Sequence, residues 1–179
     1  PIRHPLDQVT SLVRQHELFC EYSQHDARVP HYMAAAGHYE FGPQRVPISV
    51  DDSGRQSVAA WEAGDEQRGY ALQWAAVYGH IFELLQRCPA VAARTLVVRY
   101  EDICNDPNLI INQLESFFEI KNIDQEKLKH VLSNDSQRDS LISKENIKKR
   151  GIEDRSLDET RRFWELNRPE ELINHCNLS

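Results

Sequence analysis

The sequence predicts an α/β domain of three layers, a parallel sheet flanked by helices, of which these 179 residues carry the C-terminal, mostly helical part. Three observations lead there. Long segments with apolar residues at helical spacing surround one short β-branched run, Thr95–Tyr100. The centre of that run, Leu96-Val97-Val98, is uncharged, as in a strand covered on both faces. Pro1-Ile2-Arg3 reads as the end of another strand. One or two strands leave long unpaired edges and an undersized core. The rest of the sheet is therefore expected N-terminal to Pro1, with 1–179 forming one incomplete domain.

The elements follow in order. Leu6, Val9, Val13, His16 and Cys20 fall on one stripe, with Leu12 and Phe19 beside it, and predict a helix from Pro5 to about Tyr22. Proline at the first helical position is tolerated because its missing N–H would have had no intrahelical partner. From about 23 to 69 the periodicity fails among prolines and glycines, which predicts a long loop or insertion with irregular strand at 46–50. Tyr70 to about Arg87 is the strongest helix. Trp74, Val77, Tyr78, Ile81, Phe82, Leu84 and Leu85 give it a broad apolar face, and Pro89 stops it. Trp74 and Tyr78 at this spacing are core residues rather than a ligand box.

After the Thr95–Tyr100 strand, Asp106-Pro107 supplies an N-cap and first turn for a helix burying Ile110, Ile111, Leu114, Phe117 and Phe118. Asp124 caps a further helix bearing Leu128, Val131 and Leu132. Residues 133–151 read as loop. Ser156-Leu157-Asp158-Glu159 opens a helix through Leu166, and Pro169 begins a last short one.

Composition narrows the function. Hydrophobic residues make 40% and charged residues 27% of the chain, as in ordinary globular domains. No apolar run approaches the ~20 residues of a membrane span. A net charge of −7 speaks against a nucleic-acid partner, which selects a basic face, while leaving room for a local anion pocket. Cys20, Cys88, Cys104 and Cys176 have no paired spacing, which suits free thiols and a cytoplasmic location, with the secretory lumen as the alternative. The histidines have no zincin-type pattern, and no metal is expected.

The most informative stretch is Arg3-His-Pro-Leu-Asp-Gln-Val-Thr-Ser11. It sets a guanidinium just before a Pro-initiated helix and a hydroxyl two turns into it. A guanidinium fork matches two phosphate oxygens, and a helix start adds free N–H groups and positive potential. Alone, the same residues also describe a plain junction with one surface Arg.

Arg-x-Pro with Ser eight residues after the Arg resembles the 3′-phosphate-binding segment of sulfotransferases that use 3′-phosphoadenosine 5′-phosphosulfate (PAPS). Leu96-Val97-Val98-Arg99-Tyr100-Glu101-Asp102, with Asp106-Pro107 behind it, resembles the family strand ending in Tyr-Glu-Asp, and Lys148-Lys149-Arg150-Gly151 resembles its Arg-Lys-Gly loop. The resemblance implies a P-loop-NTPase-like sheet. It also implies PAPS as co-substrate, with sulfuryl transfer to a hydroxyl or amine of a small-molecule or glycan acceptor and release of adenosine 3′,5′-bisphosphate. By the same resemblance, Arg3 and Ser11 bind the 3′-phosphate, and Lys149, Arg150 and Gly151 close over it. The basic pair here is Lys-Arg where the family has Arg-Lys. Tyr100 contacts adenine, or else ends a strand in the core. Ser136 sits where the family often places another nucleotide contact, and Glu101 and Asp102 brace the structure.

The family's Lys-bearing phosphosulfate loop and its catalytic base precede the segment matched by Arg3–Ser11. No such loop occurs in the sequence, so the catalytic half is expected outside it and no catalytic residue is assigned. His31, Tyr32, His38, Tyr39 and Phe41, in the 23–69 stretch, either line the acceptor pocket or belong to a surface excursion. A nucleotide or small-molecule kinase is the nearest rival, disfavoured because ATP lacks a 3′-phosphate. A non-catalytic binding or scaffold module is another. Homo-oligomers are compatible with all three.

Overall fold

The structure, a computed structural model, describes residues 1–48, 51–120 and 123–133. They form eight helices and, among the described residues, no β-strand or sheet. The predicted parallel sheet, and with it the P-loop-NTPase-like fold, is thereby corrected. What exists at the predicted strands is one parallel bridge between Ile2 and Arg99. Ile2 N–H donates to Val98 O at 2.8 Å, and Tyr100 N–H donates to Ile2 O at 2.7 Å. Pro5 and Tyr100 both start helices, so each chain coils within three residues of the bridge and the ladder ends after one rung. The Leu96-Val97-Val98 run is not covered on both faces either: Val98 is buried, while Val97 is 42% exposed.

The described chain divides into two compact units. In the larger, α1 (Pro5–His25), α2 (Arg28–Ala36), α3 (Ser53–Glu62) and α4 (Glu66–Arg87) pack as a helical cluster. Helix α4 packs on α3 and α1, and α1 also meets α2. Val9 and Val13 of the predicted α1 stripe join Trp61, Tyr70 and Ala71 in the core. Burial of these side chains stabilises the unit at ~25 cal/mol per Å² of apolar surface removed from water. Burial on α4 is concentrated in its first half, at Gly69, Tyr70, Ala71, Gln73 and Trp74. Ile81 and Leu84, predicted to be core, are exposed. Tyr78 is half-buried, and its hydroxyl donates to Gln8 Oε1 at 3.3 Å.

Helices α2 and α3 lie within the stretch predicted as loop. The residues that obscured them stand at their ends. Pro30 occupies the first turn of α2, where backbone N–H groups have no intrahelical acceptor. Gly37 closes that helix with φ +76. Gly54 stands in the first turn of α3. Residues 46–48 carry no strand, and 49–50 lie outside the described residues.

In the smaller unit, Pro1–His4 joins residues 88–133. Here α5 (Pro89–Ala92) and α6 (Tyr100–Asn105) are short, and α7 (Pro107–Phe118) and α8 (Gln125–Ser133) follow the predicted caps. Asp106 Oδ1 accepts from Leu109 N–H at 3.1 Å. Asp124 Oδ1 accepts from Glu126 and Lys127 N–H, each at 3.1 Å. Ile110 and Ile111 are buried as predicted, whereas Phe118 is exposed. Cys20, Cys88 and Cys104 are free thiols. Cys176 and the helices predicted at 156–166 and from Pro169 lie outside the described residues. No helix among the described residues is long and apolar enough to cross a membrane.

Two glycines of α4 give opposite expectations. A Cβ on Gly69 would lie 2.1 Å from Trp61 Nε1, whereas one on Gly79 meets nothing within 4 Å. Gly69→Ala should therefore destabilise the protein by about 1–3 kcal/mol through overpacking. Gly79→Ala should stabilise it by up to about 1 kcal/mol through helix propensity. Urea midpoints of the two variants check both signs.

Candidate functional site

The parallel bridge places Arg3 against Tyr100. Its two hydrogen bonds hold Ile2, and the next backbone amide is held as well, since His4 N–H donates to Glu101 Oε1 at 2.7 Å. With the backbone fastened on both sides, the Arg3 side chain lies over the Tyr100 ring, Cζ 5.1 Å from the centroid. Its Nε is buried and has no hydrogen-bond partner among the described residues. Tyr100 itself is 42% exposed, so the ring is open to solvent as well as to the guanidinium.

The electrostatics agree with a bracing role for Glu101. Burial opposes its ionisation. The hydrogen bonds from the His4 backbone and from its own, with Arg99 and His4 nearby, outweigh burial and hold the carboxyl below its ordinary value. The Tyr100 phenol is pushed up, first by its hydrogen bond with Cys104 and the charge of that thiol, then by burial, with Arg3 pulling the other way. At neutral pH this leaves a neutral, polarisable ring under a cation. Such a pair offers a stacking face and an anion-binding edge together, the chemistry that a phosphorylated aromatic ligand requires.

Of the other predicted nucleotide contacts, Ser11 belongs to the larger unit, half-buried on α1. Ser136, Lys149, Arg150 and Gly151 lie outside the described residues. In the 23–69 stretch, His38, Tyr39 and Phe41 line a cleft of about 50 Å³ together with Pro30, Met33, Ala34, Pro43 and Gln44. His38 stacks on Phe41 at 5.4 Å between centroids, and Phe41 on Phe19 at 5.2 Å. His31 and Tyr32 are exposed on α2, outside that lining.

Sequence reasoning missed a charged cluster beside the core. The Arg45 guanidinium pairs with both oxygens of Glu66, Nη2 to Oε1 at 2.9 Å. It lies 4.2 Å above the Trp61 ring and 5.6 Å from that of Tyr70. His16 meets the same Tyr70 ring edge-on at 6.4 Å. The partners are 16 to 29 positions away along the chain, so no local spacing announces them. The one sequence sign is Glu66 in the first turn of a helix, where a carboxylate is expected anyway.

Because Glu101 has a lowered pKa, its contribution is present above the ordinary value of 4.5 and is lost as pH falls through the lowered value. Glu101→Ala should cost about 1–2 kcal/mol at pH 7, as expected for a charged acceptor of a backbone N–H. Urea unfolding of wild type and variant from pH 7 to pH 3 should show the gap closing on the acid side. Compared with protein-family models, with curated proteins and with solved structures, the chain has no match, so function is argued from its own residues.

Proposed function

We propose that this chain provides the 3′-phosphate- and adenine-binding part of a PAPS-dependent sulfotransferase. The enzyme would move a sulfuryl group to a hydroxyl or amine acceptor and release adenosine 3′,5′-bisphosphate. The observation that carries the proposal is the Arg3 guanidinium over the half-exposed Tyr100 ring, with a buried, unpartnered Nε. It is supported by the Arg3-x-Pro5 and Ser11 spacing and by the Tyr100-Glu101-Asp102 run, which nominated both residues independently.

In this assignment each residue has one task. Arg3 opposes the charge of the 3′-phosphate through its fork. Tyr100 receives the adenine face. Glu101 keeps the Arg3 backbone in place through the neighbouring His4 amide. The sequence resemblance alone nominates Ser11 and Ser136 as hydroxyl donors, Lys149 and Arg150 as added charge, and Gly151 as the glycine of that loop. Sulfuryl transfer resembles phosphoryl transfer in needing an in-line acceptor and stabilised charge on the leaving phosphate. An anchor at the 3′ position serves the first need by fixing the nucleotide. The acceptor base is assigned to none of these residues.

A non-catalytic binding module is the second candidate, favoured by the exposure of Tyr32 and Tyr39, at 64% and 54%. Calorimetric titration separates the two. Adenosine 3′,5′-bisphosphate should bind, and Arg3→Ala should weaken it by about 1.5–3 kcal/mol while barely changing 5′-AMP. Equal losses for both ligands, or binding of neither by the full-length protein, would leave the binding module. Lys149→Ala combined with Arg150→Ala should flatten the dependence of that affinity on salt. An unchanged slope would remove this loop from the site.

A further inference from the structure

Segment 38–48, which leaves α2 at Gly37, forms one wall of the cleft and is tied to α1 at an imidazole. Gly42 N–H donates to His16 Nδ1 at 3.2 Å. A backbone amide can only donate, so Nδ1 carries a lone pair and the proton of the neutral ring sits on Nε2. Cys20 Sγ lies 3.6 Å from that nitrogen. Gly42 has little slack. Its φ of +86 lies in the left-handed region, and a Cβ there would come within 2.7 Å of Met33 Cε. Its neighbours Phe41 and Pro43 line the cleft, as does Met33.

Protonation at Nδ1 would set N–H against N–H and remove the only acceptor this ring offers the Gly42 amide. We infer that His16 is a pH-sensitive latch, its neutral ring holding Gly42 and with it the Phe41–Pro43 wall of the cleft, its imidazolium releasing them. The groups around the ring support the direction. Glu17 and Cys20 come from α1, Arg45 from the segment itself, and Glu66 and Tyr70 from α4. Burial and then Arg45 hold the imidazole below its ordinary 6.5, with Glu66 opposing. Burial raises both the Cys20 thiol and the Tyr70 phenol, so neither takes a charge in the acid range. A ring that regains its ordinary pKa on release takes up one proton as it lets go. Release therefore grows as pH falls from 6.5 toward the ring's lowered value and does not depend on pH above 6.5.

Amide hydrogen exchange at Gly42, followed by NMR on the full chain and expressed as a protection factor, tests the latch. In the wild type, protection should fall by up to about tenfold per pH unit below 6.5. His16→Gln keeps an acceptor oxygen that does not titrate, and its Gly42 protection should stay level across the same range. His16→Ala should lose that protection at every pH. A level wild-type profile, or a Gln variant that titrates like the wild type, would overturn the latch. The wild-type and Gln profiles decide the matter even if the Ala variant does not fold.

Discussion

In the larger unit, one cation constrains everything near it. Arg45 leaves only 12% of its side chain exposed, and a buried guanidinium without a counter-charge is strongly unfavourable. Glu66 meets that requirement with both oxygens. It does so from the first turn of α4, where the helix dipole already favours a carboxylate. Trp61 at the end of α3 and Tyr70 in α4 then cover the guanidinium with ring faces, and the Tyr70 hydroxyl donates to Glu40 O at 2.9 Å. One side chain thus fastens the 38–48 segment to two helices. The cleft inherits its shape from that fastening, because its wall residues His38 to Gln44 precede Arg45 immediately.

In the smaller unit, the constraint lies in the backbone. Three hydrogen bonds, two at Ile2 and one at His4, bracket Arg3 on both sides. An arginine has much rotamer freedom to lose on binding a ligand, and part of that loss is met in advance when its backbone is fixed and its guanidinium rests on a ring. The position of Tyr100 one residue after the rung at Arg99 puts it next to the arginine, and its place at the start of α6 leaves one face open.

The legible parts of the sequence were those governed by local rules. Helices α1, α4, α7 and α8 show in apolar spacing and in Asp106 and Asp124, whose side chains cap as expected. Two separate motifs named Arg3 and Tyr100, but neither announces their contact, which follows from the Ile2–Arg99 bridge. The sheet was misread because a β-branched run states a preference for extended backbone and says nothing of partners. Val98 finds Ile2 across the bridge, and then both chains enter helices. Helices α2 and α3 are hidden because proline and glycine read as interior breakers, whereas they occupy helix ends. The Arg45 cluster had no local signature to read.

The same cation that organises the larger unit also gives His16 its chemistry. Arg45 must lie among Trp61, Tyr70 and Glu66 to be tolerated, and this sets its positive charge near an imidazole already stripped of water. Both effects keep the ring neutral, and only a neutral ring accepts from Gly42. The bond from Gly42 is thus favoured first by burial of the ring and then by Arg45, whose own backbone N–H donates to Gly42 O at 3.3 Å. Glu66 opposes Arg45 at the imidazole, so losing this carboxylate would leave the guanidinium's effect on His16 unopposed while freeing the segment from α4. Arg45 therefore takes part in both, holding the segment through Glu66 and adding to burial in keeping the ring neutral. Two different interactions, one ionic and one a single amide hydrogen bond, thus hold the cleft wall at residues three positions apart.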